Sequence, residues 1–183
     1  MKRLMFLIVL AFIGFIFVGC SDMNQDIMSS GSTVDKIPKP FWGNWEGMTY
    51  QDTNISPTYR RIECQGNCLH MGLFTAEVTF YLTYNDPNYP PNPLLGGSLT
   101  NGMATMTAAN GDKVYATITG EWWVGSYTNP MIYLTGDGNI TGGTGRFDGA
   151  SGSWSGTGKQ NYYGPGMDPQ EIWYTWETGQ ILY

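Results

Sequence analysis

The chain has 183 residues, a formal net charge of −6 and only 13 % charged residues, about half the usual share. An acidic chain with no basic run repels phosphate backbones, which excludes nucleic acid as a partner. The same acidity disfavours direct adsorption to anionic lipid.

Lys2 and Arg3 precede residues 4–18, fifteen residues without a charge. As a helix this segment would cover about 22 Å, short of a ~30 Å hydrocarbon core. A basic start, a short apolar run and small residues at its end predict a cleaved secretory signal over residues 1–19, not a permanent span. Phe17-Val18-Gly19-Cys20 resembles the lipobox of bacterial lipoproteins, with Phe17 where leucine is usual. The resemblance implies cleavage before Cys20 and acylation of that residue, palmitate being one such chain. It makes the protein a secreted, membrane-anchored lipoprotein of the cell envelope, its acyl chains forming the membrane contact. Ser21 after the cysteine implies, by the same resemblance, the outer membrane. Residues 20–40 are polar, rich in Ser, Asp and Pro, and predict a flexible tether of roughly 25 Å root-mean-square reach.

Residues 41–183 read as a single all-β domain. The chain carries 25 glycines and 15 % aromatic residues, and this part has no helical stripe. Strands are expected in the 41–50 and 58–64 regions. In residues 74–84, Phe74, Ala76, Val78, Phe80 and Leu82 alternate with Thr75, Glu77, Thr79, Tyr81 and Thr83, which places the first set inside. Residues 85–97 hold Pro87, Pro90, Pro91 and Pro93 and predict a stiff loop. A run over 103–109 meets the next strand through Asn110-Gly111, whose tolerance of positive φ predicts a type I′ hairpin. That strand has Val114, Ala116, Ile118 and Trp122 inward. Runs over 131–140 and 147–158 follow. Near the end, Ile172, Tyr174 and Trp176 alternate with Trp173, Thr175 and Glu177. About eight strands result, the number that closes an antiparallel β-barrel and removes exposed edges.

Cys64 and Cys68 remain as a pair once Cys20 is acylated. Gln65-Gly66-Asn67 between them is turn chemistry, and a disulfide across a hairpin tip fits an oxidising compartment. Free thiols, or a metal site completed by His70, are the alternatives. His70 is the only histidine, which limits acid–base chemistry near neutral pH, and no Gly-x-Ser-x-Gly elbow accompanies it. Its parity with Phe74 and Val78 turns it inward near one rim, as a hydrogen-bonded structural residue or a ligand contact. Asp137, Asn139, Thr141, Gly142 and Asp148 echo a calcium loop but lack its closing glutamate. Gly142, Gly143 and Gly145 are not followed by the Lys-Ser/Thr of a phosphate loop. No metal or cofactor is expected.

Three stretches carry a resemblance. Gly66-Asn67-Cys68-Leu69-His70-Met71-Gly72-Leu73-Phe74-Thr75, Ala108-Ala109-Asn110-Gly111-Asp112 and Gly142-Gly143-Thr144-Gly145-Arg146-Phe147 resemble segments of an uncharacterised family of bacterial secreted proteins and lipoproteins. The last also resembles allene oxide cyclase and dirigent proteins, which implies an eight-stranded antiparallel barrel. No catalytic residue of the plant enzymes matches a position in this chain.

Three readings of function follow. The first is a non-enzymatic barrel that binds a small apolar or glycan ligand, or a protein. The second is an allene-oxide-cyclase-like enzyme acting on a hydrophobic small molecule, and the third is a surface-coat role. A lumenal ligand would meet His70, Trp122, Tyr174 and Trp176. Bulky inner residues outnumber small ones, so a filled core with a shallow mouth near His70 is expected. Attention then passes to aromatics expected outside: Trp42, Trp123, Trp173, Tyr162 and Tyr163.

Overall fold

The alternating runs build, in a computed structural model, nine strands and one short 3-10 turn among the described residues. The structure describes residues 37–85, 96–125, 131–162 and 168–183. The expected signal, Cys20, nearly all of the tether, most of the proline-rich loop and Tyr163 lie outside the described residues.

In chain order the strands are β1 (Lys39–Pro40), β2 (Gly43–Gln51), β3 (Tyr59–Cys68), β4 (Gly72–Leu82), β5 (Gly96–Ala108), β6 (Lys113–Val124), β7 (Met131–Gly143), β8 (Ser151–Asn161) and β9 (Gln170–Leu182). Each of β2 to β8 pairs antiparallel with the next, and β9 closes the sheet against β2. The result is a closed eight-stranded barrel. Lys39 and Pro40 of β1 pair with Ile181 and Gln180, continuing the line of β2 along β9. The barrel ladder therefore begins inside the segment expected as tether. Register shifts interrupt the β4–β5, β5–β6, β6–β7 and β8–β9 ladders. Such bulges bend strands and let a sheet this small curl on itself.

Two turns correct the sequence reading. Gln65-Gly66-Asn67 is not a turn: β3 runs straight through it, and the chain reverses at residues 69–71, where His70 has φ 74°. Gly66 answers to a neighbouring strand instead, since a Cβ there would overlap the Asn44 carbonyl of β2. Asn110-Gly111 does join β5 to β6, but not as type I′. Gly111 has φ 90°, Asn110 is not at positive φ, and the Ala108 amide donates to the Asp112 carbonyl while that of Gly111 donates to Ala108. This is a three-residue loop built on a type I turn and closed by a glycine in the left-handed region.

Gly-Gly-Thr-Gly-Arg-Phe forms a cap rather than the start of a strand. Residues Gly145–Phe147 make the 3-10 turn, and Phe147 is fully buried. Gly145 sits at φ 59°, and a Cβ on it would overlap the Asp112 carboxylate. The Thr144 hydroxyl accepts the Lys113 amide at 3.0 Å, and the Thr144 amide donates to the Lys113 carbonyl. The turn is thus fastened to β6 while its phenylalanine closes the rim.

Candidate functional site

The barrel interior is the first place a ligand could sit. Phe74, Val78, Phe80, Val114, Trp122, Leu134, Tyr174 and Trp176 are buried as the alternation requires, with Leu82 and Ile118 half-buried against them. Aromatic contacts knit this core: Trp176 lies 5.8 Å from Phe41 and 6.3 Å from Phe74, centroid to centroid. Tyr174 stacks on Trp45 at 5.3 Å and donates from its phenol to the Gly136 carbonyl at 2.7 Å. Burial pushes that phenol well above the usual tyrosine range. What remains is a cavity of about 60 Å³, lined by Ala76, Val78, Ala104, Ile118 and Leu134 among others. That is room for about two water molecules. The lumen is essentially filled.

The four expected ligand contacts do not converge. Tyr174 and Trp176 line the small cavity. Trp122 belongs to the rim where β4 and β6 end, donating to the Thr83 carbonyl at 3.2 Å and meeting Tyr84 edge-on. His70 belongs to the opposite rim and lines neither this cavity nor the outer groove described below. Phe41, Met71, Phe147 and Ile181 are buried at that end, and the imidazole lies 6.1 Å from the Tyr183 ring. Its Nε2 is buried without a hydrogen-bond partner among the described residues.

The expected disulfide is not formed. Cys64 and Cys68 are free, buried thiols on one continuous strand. Four extended residues separate them by about 13 Å, far beyond disulfide reach. Burial pushes both thiols up to about 12, and the Cys64 thiol donates to the Ala76 carbonyl at 3.6 Å. Asp137, Asn139 and Thr141 stand at alternate positions on β7 with outward side chains, so the calcium-like spacing does not become a loop.

The larger concavity is on the outside. A groove of about 900 Å³ crosses β9, β2, β3, β4 and β5. Register places Trp173, Glu46, Gln65, Thr75 and Thr107 side by side in one outward row. The next row is Thr175, Asn44, Asn67 and Leu73. Trp173 is half-buried with the Lys159 amine 5.7 Å from its ring, whereas Leu73 is 71 % exposed. The side chains of Asn44, Glu46, Gln65 and Asn67 make no hydrogen bond to other described residues. Of these residues, sequence reasoning singled out Trp173 alone as an outer aromatic. The rest, the exposed Leu73 apart, are ordinary polar positions until strand register gathers them. Trp42 and Trp123 are exposed as expected, and Tyr162 is half-buried.

Compared with family models, with curated proteins and with solved structures, the chain matches none of them.

Proposed function

We propose that this protein is a cell-envelope lipoprotein, secreted through residues 1–19, acylated at Cys20 and held at the outer membrane by its lipid. Its barrel acts as a non-enzymatic binding module that takes its ligand on the outer face rather than in the lumen. One observation supports this reading. The interior leaves about 60 Å³, whereas the outer groove offers about 900 Å³ lined by polar and aromatic side chains. An allene-oxide-cyclase-like enzyme acting on a hydrophobic molecule would need space inside that the packed aromatics occupy. The resemblance carried by Gly-Gly-Thr-Gly-Arg-Phe is then one of scaffold, since a barrel hosts unrelated activities.

Hydroxyl-radical footprinting of the full chain, with and without envelope material from its own cells, tests the reading. Trp173 and Leu73 should become protected while Phe80 and Leu134 stay unchanged. Protection confined to the interior, or none at all, overturns it.

A further inference from the structure

We infer that the groove across β9 to β5 binds a neutral, extended glycan chain, an inference that rests on the outward-facing binding module proposed above. The chemistry of the walls selects the class. Trp173 lines one edge of the groove, and indole faces take the C–H side of a pyranose ring. Asn44, Gln65 and Asn67 follow on β2 and β3, each with an amide carrying donors and an acceptor. Glu46 lies between Trp173 and Gln65 in the same row and accepts hydrogen bonds from hydroxyls. A sugar chain presents this alternation of apolar faces and hydroxyl edges.

Charge excludes the neighbouring classes. Among the described residues lining the groove Glu46 is the sole charged one; Lys159 flanks it from β8, and the exposed Glu171, Glu63 and Glu77 stand in the next outward row. These acidic surroundings, on a chain of net charge −6, repel an anionic polymer. A peptide added as an extra strand needs a free sheet edge, and β2 to β9, each paired on both sides, offer none among the described residues lining the groove. A lipid chain would meet amides rather than an apolar trough.

Register also sets the length. Adjacent strands are spaced about 4.8 Å apart, close to one extended pyranose unit. From Trp173 to Thr107 is four strand steps, roughly 19 Å, so the groove holds about four sugar units. The stacked outer pair Trp123 and Tyr133, with centroids 5.9 Å apart, does not line the groove and provides an internal control.

The test titrates the full mature chain with neutral linear oligosaccharides of two to five units, built from glucose, mannose, xylose or N-acetylglucosamine. Oligogalacturonate serves as the anionic arm, and calorimetry with tryptophan fluorescence as the readout. At least one neutral series should bind, with affinity rising to about four units and then levelling. Trp173→Ala should weaken that binding at least tenfold and Gln65→Ala several-fold, with unchanged melting. Trp123→Ala should leave binding as it was. No binding across the panel, tighter binding of oligogalacturonate, or indifference to Trp173→Ala overturns the inference. If envelope material still protects Trp173 and Leu73 in the footprint while the panel fails, the sugar class falls and the binding module stands. If the footprint fails as well, both fall.

Discussion

The phenol of Tyr174 on β9 reaches past β8 to donate a 2.7 Å hydrogen bond to the Gly136 carbonyl on β7. The bond is buried and possible because Gly136 has no side chain: a Cβ there would stand 3.2 Å from the phenol oxygen. Tyr174→Phe keeps the ring and its stack on Trp45 but removes the donor. We expect a loss of about 1 kcal/mol, the usual scale of one buried neutral hydrogen bond, read as a lower urea midpoint with unchanged slope. An unchanged midpoint would show that the bond contributes nothing.

Ala76 lies beside the 60 Å³ cavity. Ala76→Val places two methyl groups in that gap and should be close to neutral in melting temperature. Ala76→Leu reaches beyond the gap into packed aromatics and should destabilise the barrel by about 1–3 kcal/mol. If Ala76→Leu melts like the parent, the interior is looser than described and a lumenal ligand regains its place.

The two free thiols should be silent until the barrel opens. Burial holds Cys64 and Cys68 up to about 12, so neither is a thiolate at pH 8. Ellman's reagent should titrate no thiol in the folded Cys20→Ala chain and two after denaturation. The unfolded thiols ionise near pH 8.5, well below their folded values. Their contribution to stability is therefore complete below about pH 8.5 and is lost as pH rises toward 12. A Cys64→Ala/Cys68→Ala variant should lose part of this alkaline slope. Two rapidly reacting thiols in the native domain, or none after denaturation, would contradict the buried free state.

The cap makes its own demand. Gly145→Ala forces a side chain into φ 59° and against Asp112, where the left-handed backbone alone costs roughly 1–2 kcal/mol. Phe147→Ala empties a fully buried site and should cost about 3–5 kcal/mol. Thermal melts of both variants check the order, with the phenylalanine the larger loss. A reversed order would mean that the turn is tight but the rim is not.

The proposed anchor is tested chemically. Metabolic labelling with a fatty-acid analogue should mark the wild-type chain and not Cys20→Ala. Equal labelling of both would remove the lipoprotein reading.

The parts legible in the sequence were those governed by local period and composition. Alternation from Phe74 to Leu82 and from Ile172 to Trp176 is a two-residue rhythm, and it placed the inner face correctly. Gly66 misled because its reason is not local: it yields to the Asn44 carbonyl of another strand, yet its composition is that of a turn. The disulfide expectation failed with it, since it depended on that turn. His70 was placed at a rim, but the burial of Phe41, Phe147 and Ile181 there depends on three distant parts of the chain meeting. The groove was illegible for the same reason. Glu46, Gln65 and Trp173 become neighbours only through two ladders, one of which joins β2 to β9 and closes the barrel.

That closure also fixes how the domain answers to force. Lys39 and Pro40 run antiparallel to Gln180 and Ile181, so the chain leaves the rim at Ile37 along the axis of β2. A pull applied at Ile37 against a load gripped on the outer face acts parallel to β2. It strains the β2–β3 and β2–β9 ladders in shear, with their hydrogen bonds, which lie across the strands, sharing the load together. They are not opened one at a time, as they would be if the strand were peeled sideways. β2 is thus held on both flanks, and mechanical failure requires many bonds to yield at once.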